Sequence, residues 1–308
     1  MLLLKSIVLQ WLYVGLMAPF LCGVIIKTKA LVVGRVGPPL FQPFYDLLKL
    51  TRKQNVYSQT TTFIFRCAPV VVLSSLLILS LFIPLISQPA PIRFAGDILM
   101  FVYLLGIGRF FLIASSFDTG FSFAGMGASR EAFFSCFTEV AFFMNLIILA
   151  LLAQSISLSQ MIGASTPLSW PLFGPALILV VSSLFLILLA ENGRIPVDDP
   201  ATHLELTMIH EVMILDYSGR DLAAMLYGAM LKFLIFAGIL VPLLVPVRLG
   251  QAFPDLLVFT AGLIAIAVLV GIIESIMARL RLNRVRHLLL AAFALAFFGF
   301  IVTLWSRL

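Results

Sequence analysis

The chain has 308 residues, of which 62% are hydrophobic and only 11% are charged, whereas about 25% are charged in an average soluble domain. This composition excludes a soluble enzyme and leaves no length for a separate soluble domain. The formal net charge of +6 does not indicate nucleic-acid binding, because the basic residues lie at the ends of apolar segments, where they favour contact with a membrane surface.

Eight apolar segments are long enough to cross a lipid bilayer, which takes roughly 20 residues in a helix. They are apolar on all sides and lack the period-two alternation of a transmembrane barrel. The sequence therefore predicts an all-α polytopic membrane protein that forms a single integral membrane domain over residues 1–308. The predicted helices cover about 3–26, 63–87, 97–117, 131–153, 172–190, 222–245, 254–278 and 286–306.

The first connection, residues 27–61, differs from a plain linker. Its glycines and prolines, from Gly34 to Pro39, indicate a turn. Apolar and charged residues then alternate at roughly helical spacing from Phe41 to Lys53. This pattern predicts an amphipathic helix at the membrane surface.

Basic residues are concentrated in the odd-numbered connections. These connections hold Lys27, Lys29, Arg35, Lys49, Arg52, Lys53, Arg130, Arg194, Arg220, Arg279, Arg281, Arg284 and Arg286. By the positive-inside rule we expect these connections in the cytoplasm and both termini on the opposite side. The fourth connection, residues 154–171, has no charge and is predicted to be a short external turn.

Five charged residues lie inside or at the edge of the apolar segments: Arg109, Glu131, Glu139, Lys232 and Glu274. A charge at the centre of a transmembrane helix costs at least ~2.5 kcal/mol, so it indicates a partner, a cavity or a proton path. Glu131 and Glu139 lie about 12 Å apart along one helix, a spacing that suits successive stations of a proton relay. The alternative is structural pairing with Arg109 or Lys232. Lys232 and Glu274 fit a structural role best, because each could reach toward an interface.

The fifth connection, residues 191–221, is rich in acids and contains His203 and His210. Clustered carboxylates repel one another, which raises some of their pKa values and favours proton exchange near neutral pH. A merely solvated acidic loop is the alternative. Apolar residues between the acids would form a large exposed patch, which favours cover by a partner protein; they are Leu204, Leu206, Met208, Ile209, Val212, Met213, Ile214 and Leu215.

No pattern indicates a metal site or a catalytic residue. The three cysteines are dispersed, without the CxxC spacing of zinc or iron–sulfur sites. His210-Glu211 begins like a zinc-protease motif, but Ile214 stands where that motif needs its second histidine. We therefore expect this chain to bind no cofactor of its own.

Three motifs carry a resemblance to a known family. They are Arg35 with Gly37-Pro38, Gln42, Asp46 and Lys49; Gly127 to Arg130 with Glu139; and AENGRIPVDDPATHLELTMIHEVMILDYSG at residues 190–219. Together they resemble the membrane subunit of group 4 [NiFe] hydrogenases, of the formate hydrogenlyase subunit 4 and hydrogenase-4 component C type. That family is similar in turn to the eight-helix quinone-site subunit of respiratory complex I.

The resemblance implies a non-catalytic anchor and ion-coupling subunit in the cell inner membrane. Its partners would be a hydrogenase-like small subunit with an iron–sulfur cluster, a large subunit that could hold nickel–iron, and antiporter-like membrane subunits. The resemblance and the spacing assign eight acids to a proton or ion path: Glu131, Glu139, Glu191, Asp198, Asp199, Glu205, Glu211 and Asp216. Partner docking is assigned to Arg35, Gly37, Pro38, Gln42, Asp46, Lys49, Arg130, Arg194, His203, His210 and Tyr217.

Two departures from complex I favour the hydrogenase branch. Ala201 and His203 stand where complex I counterparts usually carry glutamates, and the turn from Gly34 to Leu40 is shorter. A quinone-site subunit stays open as the alternative. A stand-alone secondary transporter is a third, although the paired interrupted helices expected of that class are not visible. The sequence leaves open whether the coupled ion is a proton or sodium.

Overall fold

The computed structural model describes residues 2–85, 90–164, 170–198, 208–245 and 252–306. These ranges contain ten α-helices, a short 3-10 helix at Glu211–Ile214 and no β-strand. The α-helices are α1 (Leu2–Val32), α2 (Gln42–Thr51), α3 (Phe63–Ser80), α4 (Asp97–Asp118), α5 (Ser122–Ala153), α6 (Leu158–Ala164), α7 (Trp170–Glu191), α8 (Gly219–Leu244), α9 (Ala252–Ile276) and α10 (Leu282–Trp305).

Eight helices in the described ranges are long and apolar enough to cross a membrane: α1, α3, α4, α5, α7, α8, α9 and α10. This confirms the predicted all-α, eight-span architecture, and α2 is the predicted amphipathic helix. Because successive spans alternate in direction, α1, α4, α7 and α9 end on the membrane side where α3, α5, α8 and α10 begin. We call this the first-loop side.

Several helix ends differ from the prediction. Helix α1 continues to Val32 and α5 begins at Ser122, so Arg130 lies within a helix instead of a loop. The apolar runs underestimate these helices because a helix continues where its residues turn polar at the membrane surface. Helix α3 ends early, at Ser80. There the Gln10 amide donates to the carbonyls of Ser80 and Ile83, at 2.6 and 2.8 Å. These bonds give partners to carbonyl groups that have none within the helix at its end.

The fourth connection is more ordered than the predicted external turn. It contains α6, and the acid that begins α4 holds it in place. Fully buried Asp97 accepts hydrogen bonds from the Leu158 amide at 2.6 Å and the Ser157 hydroxyl at 2.9 Å. The missed signal was therefore a charge outside the connection, at the start of α4, two spans before it.

Helix α8 is the central span. Two thirds of its most apolar window is buried (67%), a larger share than in the other spans found in the described ranges. It packs against α1, α3, α7 and α9, while α10 packs against α5 and α7. Lys232, in the middle of α8, is thereby surrounded by helices.

The prediction that the apolar residues of the fifth connection form an exposed patch is wrong for most of the described ones. Met208, Ile209, Val212 and Met213 are each at most 1% exposed, because the 3-10 segment packs against α4 and α5 of the same chain. A Cβ at Gly127 would lie 2.2 Å from Val212 Cγ1, so glycine permits this close approach. Leu215 is 46% exposed. Ile214 is half-buried, and the last two members of the patch, Leu204 and Leu206, lie outside the described residues.

Candidate functional site

Arg109, on α4, lies among three carboxylates. Its Nη2 is 2.6 and 2.7 Å from the two carboxylate oxygens of Glu191, and its Nη1 contacts Glu139 Oε1. Its Nε is 3.8 Å from Glu131 Oε1. One guanidinium thus connects acids from α5 and from the end of α7, which fits its planar array of donors.

Glu191 has two further partners. Lys232 Nζ is 2.7 Å from Glu191 Oε2, and the Thr138 hydroxyl donates to Glu191 Oε1 at 2.6 Å. Lys232 does not reach away toward an interface: its side chain is 19% exposed and contacts this buried carboxylate. The expectation that Lys232 is a snorkelling residue is therefore wrong. Sequence reasoning also missed Thr138, whose signal is its spacing of seven from Glu131 on one face of α5.

His210 connects the fifth connection to the same group. Its Nε2 is 3.2 Å from Glu131 Oε2. Gly193, with φ of +55°, leaves space for the imidazole, since a Cβ there would lie 2.8 Å from His210 Nδ1. Burial alone would lower the pKa of His210, but the Glu131 carboxylate outweighs burial and holds this pKa above its ordinary value.

Asp198 fixes the backbone at His210. Its Oδ2 accepts from the amides of Ile209 and His210, at 2.8 and 3.2 Å, and its Oδ1 is 2.8 Å from Arg279 Nη2. Asp198 is 2% exposed. The arrangement anchors His210 through its main chain and leaves its imidazole facing Glu131.

These contacts define the central charged cluster: Arg109, Glu131, Glu139, Glu191, Lys232 and His210. With His210 neutral, three carboxylates oppose two cations, which leaves one negative charge. With His210 protonated, the formal charges balance. Because unbalanced buried charge is costly, the cluster favours the protonated form of His210.

The cluster has a closed interior and one open edge. The side chains of Glu131 and Glu191 are 6% and 5% exposed, whereas that of Glu139 is 45% exposed. Glu139 lies at the edge of the outer face of α5, beside Phe143 and Val140, which are 41% and 52% exposed. A carboxylate in a transmembrane helix therefore faces outward from this chain.

Two small cavities lie against the cluster. One, of about 10 Å³, is lined in part by Glu131, Glu191 and His210. The other, of about 20 Å³, is lined in part by Arg109, Glu139 and Glu191. Each has room for about one water molecule, which could bridge neighbouring carboxylates.

A second ionic group is centred on Glu274 of α9. Its carboxylate lies 2.9 Å from Lys29 Nζ and 3.4 Å from Arg194 Nη1, and its side chain is fully buried. Arg194 Nη2 also lies 3.6 Å from Cys22 Sγ. This group joins the end of α1, the segment after α7 and the end of α9.

Two other predicted docking residues, Arg130 of α5 and Tyr217 of the fifth connection, contact this chain itself. Arg130 Nη1 donates to the Met208 carbonyl at 3.0 Å. Tyr217 stacks on Phe65 with ring centroids 4.0 Å apart, and its hydroxyl donates to the Phe65 carbonyl at 3.1 Å. Asp216 is exposed and Glu211 half-buried. The predicted residues Asp199, His203 and Glu205 lie outside the described residues.

The predicted residues of the first connection lie mostly at the surface. Arg35, Gly37, Asp46 and Lys49 are exposed, while Pro38 and Gln42 are half-buried. Gly37 has a φ of +63° and lies against Ala30, where a Cβ would come within 2.4 Å of the alanine methyl group. The Gln42 amide donates to Asp46 at 2.9 Å. No group of three or more His, Cys, Asp or Glu within the described ranges could hold a metal ion.

Comparison with known proteins identifies the family. A family model described as NADH dehydrogenase matches residues 4–304. This chain belongs to the NADH dehydrogenase family. Within this family it is 32% identical over 289 residues to hydrogenase-4 component C of Escherichia coli K12, covering 91% of this chain and 90% of the relative. It is 30% identical over 306 residues to formate hydrogenlyase subunit 4 of the same organism, covering 95% and 96%. The resemblance found in the sequence is thus confirmed.

Two more distant proteins also match. A membrane subunit of the NADH-quinone oxidoreductase of Burkholderia vietnamiensis is 24% identical over 220 residues, which cover 67% of this chain and 60% of that relative. A chain in the structure of the membrane-bound sulfane sulfur reductase, an archaeal respiratory membrane complex, superposes with a TM-score of 0.81 at 20% identity. The match covers 98% of this chain and 100% of the other. The eight-span fold is therefore shared with that chain.

Proposed function

We propose that this chain is the non-catalytic anchor and ion-coupling subunit of an energy-converting, formate hydrogenlyase-type complex. The central charged cluster is the observation that carries the proposal, because it joins a surface connection to a carboxylate on the outer face of a span. The basic connections favour a cytoplasmic first-loop side, with both termini on the other side of the inner membrane. The full-length similarity to two hydrogenase-complex subunits supports this assignment.

The cluster can transmit a change at the surface into the membrane. When His210 gains a proton, it offsets the charge of Glu131 at 3.2 Å. Glu131 then competes less for Arg109, whose guanidinium is shared with Glu139 and Glu191. The attraction between Arg109 and Glu139 changes in consequence, because the neighbouring charges act on both groups. A redox event beside the fifth connection can therefore change the electrostatic interactions of Glu139, at the outer edge of the cluster.

The outward position of Glu139 supports a membrane partner. A carboxylate at the lipid-facing surface of a span is costly, yet this side chain is 45% exposed in the isolated chain. A second membrane subunit of the antiporter-like class, with a polar group opposite Glu139, would remove that cost. The outer face of α4 and α5 would then be the route by which an ion or its charge leaves this subunit.

The end of α1 supports docking of the soluble arm. With 31 residues, α1 is roughly 46 Å long at 1.5 Å per residue, longer than a bilayer core of about 30 Å. Near its end Leu31 and Val36 are 63% and 84% exposed. Such residues beside Arg35 suit contact with a hydrogenase-like small or large subunit, and any iron–sulfur or nickel–iron group would belong to those partners.

The test compares the exposed carboxylate of Glu139 with the buried carboxylate of Glu274 in the complete complex, reconstituted into vesicles. Glu139→Gln keeps the size of the side chain but removes the exchangeable carboxyl proton. We expect redox turnover to persist and ion translocation per turnover to fall at least tenfold, within the range for loss of a proton-transfer group. Glu274→Gln is the matched control and should keep the wild-type ratio. Full coupling in Glu139→Gln would contradict the proposal.

A quinone-site subunit is the second candidate, favoured by the family model and by the match to the Burkholderia NADH-quinone oxidoreductase. The two functions differ in a direct assay. If this candidate is right, the purified complex will reduce a short-chain ubiquinone at a rate comparable with its overall redox turnover. Hydrogenase-type coupling requires no such reduction.

A further inference from the structure

Helix α2 lies at the first-loop side, against the end of α1 and the beginning of α8. Its inner face is directed at these two spans: Pro43 is buried, and Leu47 and Leu50 are half-buried. The Phe41 ring, just before α2, lies 6.2 Å from the Phe20 ring, and Phe20 is about 27 Å along α1 from Leu2. Because a bilayer core is about 30 Å thick, α2 lies at the depth where the core gives way to lipid headgroups. Its orientation is therefore fixed on one side by the bundle.

A second face of α2 is apolar and exposed. Phe41, Tyr45 and Leu48 are 54%, 60% and 56% exposed. At 3.6 residues per turn, positions spaced by four and then three lie within about 60° of one another. They form a continuous stripe, which we call the outer stripe. Aromatic and aliphatic side chains at this depth are typical of helices that lie in the membrane interface.

Basic residues end the same helix. Lys49, Arg52 and Lys53 are exposed, and none of them makes an ion pair with another residue of the described ranges. Arg52 continues the line of the outer stripe, four residues after Leu48. The acid within α2 is Asp46, which accepts a hydrogen bond from Gln42 at 2.9 Å.

Charges from the neighbouring elements do not neutralise this basic end. Arg220, at the start of α8, adds a further cation, and its Nε donates to the Thr51 carbonyl at 3.3 Å. Asp221 accepts from the Tyr57 hydroxyl at 2.8 Å. Counting Arg220 and Asp221 with Asp46 and the three cations of α2, the region keeps two positive charges.

We propose that α2 binds an anionic phospholipid of the bilayer. The acyl chains lie along the outer stripe, and the headgroup phosphate is bound by Lys49, Arg52 and Lys53. A zwitterionic lipid would offer the same apolar contacts but no net negative charge, so the basic end confers selectivity for anionic lipid. This inference does not depend on which redox partner the complex carries.

The test uses native mass spectrometry of the complete complex, delipidated in mild detergent and titrated with phosphatidylglycerol or phosphatidylcholine. For the first lipid bound, we expect the wild type to prefer phosphatidylglycerol by at least tenfold. Each cation near anionic lipid contributes roughly a fivefold effect, so Lys49→Gln/Arg52→Gln/Lys53→Gln should lose most of that preference. The changed side chains are exposed and make no ion pair, so the fold should persist, and an unchanged elution volume checks this.

The matched control removes the same charge elsewhere on the first-loop side. Arg281→Gln/Arg284→Gln/Arg286→Gln changes three exposed or surface arginines at the start of α10 and should keep the preference within about twofold, because no outer stripe adjoins them. Equal losses in the two triple variants would show a general surface-charge effect and overturn the proposal. An unchanged preference in the α2 variant would also overturn it, as would release of a protein subunit from that variant, which would show that a protein covers α2.

Discussion

The central charged cluster and the Glu274 group both bury a carboxylate between two cations, yet they differ in three ways. Glu274 is fully enclosed, and its partners Lys29 and Arg194 leave an excess of positive charge. The central charged cluster has an excess of acid, a histidine at one end and an exposed carboxylate at the other. A buried ion pair alone can serve structure. The titratable end and the open edge support the coupling role that we propose for the central charged cluster.

The largest effect is expected at Arg109. Arg109→Leu would leave three carboxylates facing Lys232, and breaking a buried ion pair by removing one partner costs about 3–5 kcal/mol. The expected result is a large drop in the thermal unfolding temperature of the purified complex. Arg66→Leu is the control: this exposed arginine lies 5.0 Å over the Tyr57 ring, a contact worth about 0.5–1 kcal/mol. Equal effects of the two changes would mean that the three acids are not charged together.

A smaller effect is expected where the fifth connection packs on α5. In Gly127→Ala, the added Cβ would lie 2.2 Å from Val212 and 3.0 Å from the Ile209 carbonyl. Overpacking of this kind costs about 1–3 kcal/mol, and it would move His210 away from Glu131. The control is Gly106→Ala on α4, where nothing lies within 4 Å of the new Cβ. That change should be neutral or slightly stabilising, so matched losses of unfolding temperature would contradict this packing.

The smallest effect is a pH dependence at the same contact. Burial lowers the pKa of His210 in the folded chain, but the Glu131 carboxylate raises it by more, so the pKa is raised overall. A raised pKa gives stability that is fully present below the unfolded value near 6.5 and is lost as pH rises through the folded value. Amide hydrogen exchange at residues 208–214, corrected for intrinsic rates, should therefore accelerate as pH rises above that window. His210→Gln should remove this acceleration, and an equally steep rise in the variant would exclude His210 as its source.

Much of the fold follows from the sequence, because a membrane span requires a long apolar run and the eight runs are distinct. Helix α2 is likewise visible as alternating apolar and charged residues. The start of α5 and the whole of α6 were missed, since polar or small residues there conceal helices that are held by distant contacts. Asp97 illustrates this, because its two donors come from the fourth connection.

The site was predictable as a set of residues but not as an arrangement. The cost of charge in a bilayer points to Arg109, Glu131, Glu139 and Lys232 from sequence alone. Which acid each cation binds depends on how α4, α5, α7 and α8 pack, and spacing along one helix cannot give that. The same limit explains the fifth connection: sequence shows that Val212 and its apolar neighbours need cover, but not that α4 and α5 of the same chain supply it.

In the coupling that we propose, the central charged cluster changes its protonation when the complex turns over. Redox-induced infrared difference spectroscopy of the complete complex tests this directly, because protonated and ionised carboxyl groups absorb differently. We expect carboxyl bands that are altered in both Glu131→Gln and Glu139→Gln, since Arg109 couples the two acids, and that are unchanged in Glu274→Gln. Carboxyl bands unchanged in the first two variants, or altered only in Glu274→Gln, would contradict the account.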